Sequence, residues 1–338
     1  MEDYNKIFNP NLYQKKYHIN DISSAKFLIT GGAGFIGSNI VEYLLKNNAG
    51  KVCVLDNLSN GYFDNIKDFT SLSNFEFIKG DIRSLDTCRQ AIKDINYVSH
   101  QAALGSVPRS ISDPLLSNDV NVNGFLNILN TVKETESVKR FVYAASSSTY
   151  GDSRQLPKVE GNEGKVLSPY AVTKLVNELY ADVYSRVYDY NSIGLRYFNV
   201  FGPKQNPNNP YAAVIPLFCK HFIEKTKPKI FGDGLTSRDF TFVENVVQAN
   251  IRSFFYDKLE KHEIFNVACG DEITLIKMVD LLNSISGENL SPEFLDERKG
   301  DVKHSKASIE KILKIGYVPE VYFREGLKMV FDWYKKNN

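Results

Sequence analysis

The sequence predicts an α/β protein: a doubly wound parallel sheet followed by a smaller α/β lobe. Short apolar runs alternate with helical segments over residues 26–200, which is typical of a parallel sheet covered by helices on both faces. A glycine-rich turn joins the first apolar run to the first helix. Beyond residue 200 the elements shorten, and prolines and asparagines cluster over 202–210. We therefore expect an N-terminal arm at 1–25, a sheet domain at 26–200 and a second lobe at 201–338.

Six strands and several helices are predicted from the periodicity of the apolar residues. The predicted strands cover residues 27–30, 52–56, 75–78, 97–101, 141–145 and 192–196. The predicted helices cover residues 35–45, 115–136, 169–188 and 322–334. The first 25 residues precede the first strand, and we expect them to form a helical arm on the surface.

The composition is that of an ordinary globular protein with no charge preference. Of its 338 residues 43% are hydrophobic and 24% charged, and 41 basic against 40 acidic residues leave a net charge of +1. Nothing in that balance favours binding to nucleic acid or to a membrane surface. No apolar run is long enough to span a bilayer, and the N-terminus lacks the apolar core of a signal peptide. We expect a cytoplasmic protein.

The cysteines and histidines point to no metal site. Cys53, Cys88, Cys219 and Cys269 are scattered along the chain and form no C-x-x-C pair. We expect them to be buried thiols rather than disulfides. The five histidines are isolated from one another and from the cysteines, so no metal is predicted.

The glycine-rich turn is the first functional signal. Gly31, Gly34 and Gly37 are spaced three apart between an apolar run and a helix. Glycines so placed let the backbone turn tightly and approach a pyrophosphate at the helix N-terminus. Asp56 closes the second apolar run 19 residues beyond Gly37, close to the spacing of a carboxylate that binds the adenosine ribose. We interpret the unit as a dinucleotide site of the Rossmann type; an ordinary β-α-β unit with a glycine turn is the alternative.

Polar or small residues follow each predicted strand. Because the carboxyl ends of parallel strands lie at one edge of a sheet, these residues are expected to share one ligand site. Asp81 is suited to the adenine ring, and the small residues after the fourth strand leave room for a flat cofactor. A polar loop is the alternative for any one of them. The strand-end candidates are Asn57, Asp81, Ile82, Arg83, Gln101, Ala102, Ala103, Ser106, Ser146, Ser147, Tyr197 and Asn199.

A tyrosine and a lysine four residues apart are the second functional signal. Ser168 is a suitable N-cap and Pro169 suits the first helical position, so Tyr170 and Lys174 are predicted to share one helix face. A free tyrosine has a pKa of about 10, but a nearby ammonium group and a nicotinamide cation would stabilise the phenolate. Such a tyrosinate accepts the proton of an alcohol while the carbon gives hydride to NAD⁺. The alternative is a surface lysine beside a packing tyrosine.

With these motifs together, the chain resembles the extended short-chain dehydrogenases/reductases. The resemblance rests on T-G-G-A-G-F-I-G at residues 30–37 and on the set Ser146, Tyr170 and Lys174. Within that superfamily it is similar, over nearly the whole chain, to the UDP-N-acetylglucosamine 4-epimerases of bacterial surface-polysaccharide pathways. The resemblance implies bound NAD, oxidation at the sugar C4, a 4-keto intermediate and hydride return to the opposite face. It also implies a homodimer formed through the helices at 115–136 and 169–188.

The resemblance assigns roles to particular residues. Ser146, Tyr170 and Lys174 would be catalytic. The implied cofactor contacts are Gly31, Gly34, Phe35, Ile36, Gly37, Asp56, Asn57, Asp81, Ile82, Gln101, Ala102, Ala103, Tyr170, Lys174 and Tyr197. The implied UDP-sugar contacts are Arg83, Ser106, Ser146, Ser147, Asn199, Ala213, Val214, Arg238, Arg298, Asp301 and Ser305. Arg238 and Arg298 suit a diphosphate because guanidinium bonds it bidentately, although surface ion pairs are the alternative.

Three observations limit the type of reaction and the substrate that the resemblance implies. Related 4,6-dehydratases carry an Asp-Glu pair after the catalytic Ser/Thr, whereas Ser147 and Ser148 stand here, which argues against dehydration. Ser305 occupies the position at which similar enzymes carry a tyrosine that restricts the site, leaving room for a 2-acetamido group. Arg83 and Arg109 are suited to a sugar carboxylate. The prediction is a UDP-N-acetylhexosamine 4-epimerase; a uronate epimerase and a non-catalytic NAD-binding regulator remain alternatives.

Overall fold

A computed structural model describes residues 7–207, 213–297 and 304–337. Its main element is a seven-stranded sheet in the order β3-β2-β1-β4-β5-β6-β11, in which every neighbouring pair is parallel. The strands are β1 Lys26–Thr30, β2 Lys51–Asp56, β3 Phe75–Lys79, β4 Tyr97–His100, β5 Arg140–Ser146, β6 Ser192–Tyr197, β7 Val200–Phe201, β8 Lys229–Phe231, β9 Ser237–Arg238, β10 Thr241–Phe242, β11 Glu263–Val267, β12 Ile273–Thr274, β13 Glu293–Leu295 and β14 His304–Ser305.

Helices cover both faces of this sheet and complete the second lobe. They are α1 Phe35–Lys46, α2 Leu85–Ile92, α3 Val107–Ser112, α4 Pro114–Asn118, α5 Gly124–Glu134, α6 Pro169–Tyr188, α7 Val214–Ile223, α8 Val243–Phe254, α9 Leu275–Ser286 and α10 Phe323–Asn337. None of the helices in the described part of the chain has the length and apolarity needed to cross a membrane. The predicted doubly wound α/β class is confirmed.

The alternation of side chains along the strands explains why the sheet is buried on both sides. Phe27 and Ile29 of β1 belong to one hydrophobic cluster, while Leu28 between them belongs to the other. Successive residues of a strand point to opposite faces, so a run of apolar residues needs helices above and below it. All four cysteines are buried and unpaired, as expected.

All six predicted strands are present, and each strand end lies within one residue of its predicted position. The sheet also contains a seventh strand that was not predicted. β11 pairs with β6 and comes from residues 263–267, beyond the boundary predicted at residue 200. Helix α8 likewise belongs to the first half of the fold by contact, since it packs against α1 and β5. The division of the chain at residue 200 therefore does not coincide with the edge of the sheet.

The predicted continuous helix at 115–136 is interrupted. Asp113 caps α4 by accepting the Leu116 N–H at 3.0 Å, and a π-helical turn, Asp119–Asn123, separates α4 from α5. Asn121 within that turn accepts the Leu104 N–H at 2.7 Å and donates to the Leu104 carbonyl at 3.1 Å. This contact with a loop at the carboxyl edge of the sheet is not visible in a helical periodicity.

The expected helical surface arm is wrong for the described part of the N-terminus. Residues 8–25 form turns rather than a helix. Tyr13 and Tyr17 are 3% and 2% exposed and pack on α1 and α8. The Glu244 carboxylate of α8 accepts the Tyr13 N–H at 2.9 Å and the Tyr17 hydroxyl at 2.8 Å. The arm is therefore part of the core, because its aromatic side chains fill a groove between two helices.

Candidate active site

A cavity of about 450 Å³ opens at the carboxyl ends of the parallel strands. It lies where the chain order reverses between β1 and β4, the position at which doubly wound sheets bind their ligands. Every residue that the sequence predicted to contact the cofactor lines it. These residues are Gly31, Gly34, Phe35, Ile36, Gly37, Asp56, Asn57, Asp81, Ile82, Gln101, Ala102, Ala103, Tyr170, Lys174 and Tyr197.

The glycine turn requires glycine at two of its three predicted positions for steric reasons. Gly31 has φ +67°, and a Cβ there would lie 2.6 Å from the Ala102 backbone nitrogen. A Cβ on Gly37 would lie 2.2 Å from the Gly31 carbonyl oxygen. Both obstacles are backbone atoms, which cannot rotate away as a side chain does. The turn therefore holds β1, α1 and the end of β4 close together around an open cradle.

The N-terminus of α1 faces this cradle. Its N-cap is Gly34, which provides no side chain to bond the first N–H groups, and no acidic residue lies in the first turn. The N–H groups and the positive end of the helix dipole are thus free of competing protein anions. This arrangement fits the pyrophosphate of a dinucleotide.

Asp56 lies at the end of β2 on the floor of the cavity. Its carboxylate accepts the Ala33 N–H at 3.0 Å and the Leu58 N–H at 2.8 Å. Burial raises the pKa of this carboxyl, and the two N–H bonds oppose the rise. The residue thus joins the strand end to the glycine turn, and its position at the cavity fits a ribose hydroxyl.

Asp81 lines the cavity beside Asn57, whose amide donates to it at 2.9 Å. The Arg83 guanidinium bonds the same carboxylate at 2.7 Å and Asp119 at 3.0 Å. Hydrogen bonds from Arg83 hold the pKa of Asp81 down at about 2. Arg83 itself does not line the cavity, and its cation is engaged by the carboxylates of Asp81 and Asp119.

The three predicted catalytic residues all line the cavity. Ser146 ends β5, and its hydroxyl lies 2.8 Å from the Ser148 hydroxyl. Tyr170 lies in the first turn of α6 and is half-buried against the cavity. Burial raises the pKa of Tyr170, and its hydrogen bond with Ser146 opposes the rise. The phenol and the Ser146 hydroxyl therefore face the same cavity.

Local sequence fixes the start of α6 and so the direction of these side chains. Ser168 caps the helix by accepting the Ala171 N–H at 3.1 Å, and Pro169 occupies the first helical position. The Tyr170 N–H, which has no partner within the helix, donates to the Ser110 hydroxyl of α3 at 3.0 Å. Lys174 follows one turn later on the same face.

Lys174 is buried at the base of the site, 3% exposed. Its ammonium group donates to the Ala144 carbonyl at 2.7 Å. Burial lowers the pKa of Lys174 to about 8, and the negative charge of Glu178 opposes the fall. The cation lies one helical turn from the phenol, where a positive charge favours the phenolate, the form of tyrosine that can accept a proton.

Only part of the predicted substrate set reaches the cavity. Ser106 and Ser146 line it, whereas the other predicted substrate residues within the described part of the chain do not. Those that lie outside the cavity lining are Arg83, Ser147, Asn199, Ala213, Val214, Arg238 and Ser305. Arg298 and Asp301 fall outside the described residues.

The second lobe nevertheless brings two of these residues together. β9 and β14 pair in parallel with Ser305 opposite Arg238, although the two residues are 67 positions apart in the sequence. Both side chains are half-buried. Asn199 donates to the Asp239 carbonyl at 2.9 Å, immediately after Arg238. Ala213 is the N-cap of α7 and Val214 its first residue.

Gln205 is a cavity residue that sequence reasoning missed. It lies in the proline- and asparagine-rich loop and lines the cavity. Its Oε1 atom is buried and accepts no hydrogen bond from the described residues, so it is available to a ligand donor. The loop composition predicted only irregular structure, and no spacing rule marks one of its amides as part of a site.

The similarity of this chain to known proteins agrees with this geometry. Residues 27–268 match the family described as "NAD dependent epimerase/dehydratase family". The chain belongs to the NAD-dependent epimerase/dehydratase family. The cofactor is therefore NAD, and the glycine cradle, the uncapped helix N-terminus and Asp56 fit its pyrophosphate and ribose. No group of three potential metal ligands occurs among the residues that the structure describes.

Three solved structures show how this family member relates to others. It is 37% identical to a UDP-N-acetylglucosamine 4-epimerase from Methanobrevibacter ruminantium M1 in complex with UDP-N-acetylmuramic acid, covering 93% of this chain and 99% of that one, with a TM-score of 0.88. It is 32% identical to a UDP-glucose 4-epimerase with UDP-glucose from Thermotoga maritima, covering 92% and 99%, with a TM-score of 0.85.

The third is a UDP-glucuronic acid 4-epimerase from Bacillus cereus in complex with UDP-glucuronic acid and NAD. It is 30% identical to this chain, covering 93% of this chain and 100% of that one, with a TM-score of 0.85. The family member described here thus has UDP-sugar 4-epimerases among its relatives, and those relatives act on three different sugars.

Proposed function

We propose that the protein interconverts UDP-N-acetylglucosamine and UDP-N-acetylgalactosamine by epimerisation at C4. The observation that carries the proposal is the convergence of Ser146, Tyr170 and Lys174 on the cavity whose other wall is the glycine turn. Oxidation of a sugar hydroxyl needs a base and a hydride acceptor at the same carbon, and this cavity offers a place for both.

The residues act on the 4-hydroxyl of the sugar. Tyr170, as phenolate, takes the proton from O4 while the hydrogen on C4 leaves as hydride, which gives a 4-keto sugar. NAD supplies the chemistry of accepting that hydride and returning it. Ser146 bonds O4 and shares its proton, and the Lys174 cation stabilises the phenolate. Proton and hydride then return, with the sugar presenting its other face, and the product is an isomer of the substrate.

The UDP group is the fixed handle in this proposal. Arg238, with Arg298, binds the diphosphate, and Asp301 accepts from the uridine ribose. Asn199 bonds a phosphate or sugar oxygen. Ser106 contacts the sugar from the cavity wall, and the resemblance also assigns Ser147, Ala213 and Val214 to the sugar, although they lie outside the cavity lining.

Three observations favour a neutral N-acetylated sugar. Ser305 is small and lies in register with Arg238, which leaves room beside the nucleotide for a 2-acetamido group. Arg83, one candidate for a sugar carboxylate, is already bonded to Asp81 and Asp119. The 37% identical relative is itself a UDP-N-acetylglucosamine 4-epimerase. A part in surface-polysaccharide synthesis and a cytoplasmic location remain predictions from the resemblance.

The test is a substrate panel followed by proton NMR. Purified protein is incubated with UDP-N-acetylglucosamine, UDP-glucose and UDP-glucuronic acid, and kcat/KM is compared. Formation of UDP-N-acetylgalactosamine with the highest kcat/KM is the expected result. Preference for the uronate would transfer the proposal to a uronate epimerase. NAD bound without turnover of any sugar would support a non-catalytic regulator.

The proposal includes a homodimer. Helix α6 exposes a run of apolar side chains at helical spacing, and the adjoining α3 and α4 extend it. An exposed apolar face of this extent marks an interaction surface. We call this set the α6 face; its residues are Ile111, Leu115, Leu116, Val172, Leu179, Tyr180, Val183 and Val187.

A further inference from the structure

A buried ion cluster lies directly behind the active site. Glu178 follows Lys174 by one turn of α6 and is 6% exposed, and Arg196 of β6 is 3% exposed. Arg196 donates from Nε to Glu178 Oε1 at 2.9 Å and from Nη2 to Oε2 at 2.7 Å. The same guanidinium bonds Glu163 and lies 4.8 Å above the ring of Tyr150. None of these side chains lines the cavity, so the reaction as proposed does not use them.

The cluster is electrically balanced only when Lys174 is protonated. Arg196 is always cationic. Both oxygens of Glu178 accept from the guanidinium, and this bidentate, charge-assisted contact favours the ionised carboxylate. Burial raises the pKa of Glu178, and the hydrogen bonds and the charge of Arg196 oppose that rise. With Glu163 the cluster then carries two negative charges and one positive charge. A protonated Lys174 brings the sum to zero, whereas a neutral amine would leave an unbalanced negative charge in a buried site.

We propose that Glu178 is a positioning residue that keeps Lys174 protonated, and that Arg196 and Glu163 hold its carboxylate in place for that task. The inference rests on the proposed function, in which Lys174 acts as a cation. Helical neighbours four apart have Cβ atoms about 5–6 Å apart, close enough for this interaction. Arg196 also pairs in register with Ala145, next to Ser146, so its contact with Glu178 fixes α6 against β6, the strand beside the one that carries the serine.

Other titratable groups face the pair from the elements packed around it. Burial lowers the pKa of His100 to about 3, with the Lys174 charge adding to the fall, so that imidazole is neutral. Burial and the Glu178 charge both raise the pKa of Tyr143, so that phenol is neutral as well. Both of these groups are neutral, and Glu178 is the charged residue closest to Lys174 in the sequence. The full set comprises His100, Tyr143, Tyr150, Glu163, Tyr170, Glu178 and Arg196.

The test is a titration of Lys174 in Glu178→Gln. Protein with ¹³C-labelled lysine is titrated by NMR, and Lys174→Met identifies the signal. The expected result is a titration midpoint at least about one pH unit lower than in the wild type, because an adjacent opposite charge shifts a pKa by one or more units. The decline of kcat/KM with rising pH is expected to move to lower pH by the same amount, and Glu178→Asp is expected to restore both.

Two further variants complete the design. Asp182→Asn, one turn on in the same helix, removes an exposed carboxylate paired with Arg186 at 2.7 Å and is expected to change neither midpoint nor profile. Glu163→Gln removes one charge from the cluster but keeps the contact between Arg196 and Glu178. Glu163→Gln is expected to lower the titration midpoint of Lys174 by a smaller amount than Glu178→Gln does. It provides the test of the inference if Glu178→Gln does not fold.

An unchanged lysine midpoint in the folded variants would overturn the inference, whatever their activity. A uniform loss of activity across pH with an unchanged midpoint would assign Glu178 a purely structural role. Because the titration needs no turnover, it remains readable if the wild-type protein converts no UDP-sugar, a result that would count against the proposed function alone.

Discussion

Tyr170 shows what a single side chain contributes to this site and what its surroundings add. Burial alone raises the pKa of its phenol, which would make it a poor base at neutral pH. The hydrogen bond with Ser146 acts in the opposite direction. Under the proposed function, Tyr170 has to lose its own proton before it accepts one from O4, so the cation of Lys174 one helical turn away has to offset the effect of burial.

Replacement of this phenol provides the first test at the residue scale. Tyr170→Phe is expected to lower kcat by about 10²–10⁴-fold, the usual contribution of a positioned base, while NAD remains bound. Epimerisation followed by NMR and NAD content measured after denaturation check the two parts. Tyr180→Phe, on the exposed side of the same helix, is the control and should keep full activity. Turnover near normal in Tyr170→Phe would exclude the phenol as the base.

Gly37 provides a second test, of the cradle rather than the chemistry. Gly37→Ala places a methyl group 2.2 Å from a backbone oxygen, so the turn must open. We expect loss of bound NAD and a fall in the free energy of unfolding of about 2 kcal/mol, within the range for overpacked sites. Urea unfolding and NAD content are the measurements. Gly105→Ala also lines the cavity but meets no atom within 4 Å, and should change stability little.

At the scale of the element, α6 serves two purposes on two faces. One face carries Tyr170, Lys174 and Glu178 toward the sheet, and the other exposes the apolar side chains of the α6 face. Its N-terminus is fixed by Ser168 and by the Ser110 hydroxyl. Two hydrogen bonds hold the first turn of this helix, and one of its sides packs against the sheet. Such a helix is a rigid support for the side chains that line the cavity.

The α6 face makes a prediction about assembly. The double variant Leu179→Asp/Val183→Asp places two charges at the centre of the face, where a dimer interface of standard size would bury about 800 Å² per subunit. We expect the wild type to be dimeric and the variant monomeric by size-exclusion chromatography with light scattering. Leu235→Asp is the matched control, since Leu235 is 56% exposed away from this face. A monomeric wild type would remove the proposed dimer.

At the scale of the molecule, the N-terminal arm ties together α1, which begins at the glycine turn, and α8. Tyr17 stacks on Tyr43 of α1 with ring centroids 5.4 Å apart and bonds Glu244 of α8. Glu42 of α1 in turn pairs at 2.8 Å with Lys204, which precedes the cavity residue Gln205. The arm thus lies at one end of a chain of contacts that reaches the substrate side of the cavity.

Removal of residues 1–22 is the corresponding prediction. The deletion uncovers an apolar groove and leaves the buried Glu244 carboxylate without two donors, so the melting temperature is expected to fall by about 10 °C. Circular dichroism measures the change. Ile19→Ser, at a side chain that is 94% exposed, should leave the melting temperature unchanged. If the deletion also left the melting temperature unchanged, the arm would contribute nothing to stability.

Some features of the fold lay beyond sequence reasoning for identifiable reasons. β11 reads as an ordinary short apolar run, and only its pairing with β6 makes it part of the main sheet. The π-helical turn at Asn121 depends on a loop 17 positions away. Gln205 sits in a segment whose composition predicts only a loop. In each case the deciding contact joins residues distant in sequence, and local periodicity carries no information about it.

By itself the sequence determined the fold class, the dinucleotide cradle and the helix with Tyr170 and Lys174. These features depend on glycine spacing, strand ends and helix capping, each of which acts over a few residues. The residues involved come together because the carboxyl ends of parallel strands lie at one edge of the sheet. The tertiary structure alone decided that Ser305 lies against Arg238, that Tyr13 and Tyr17 of the arm are buried, and that Arg196 holds Glu178 one helical turn from Lys174. Those contacts arise from packing between distant segments, where burial and charge balance select the partner.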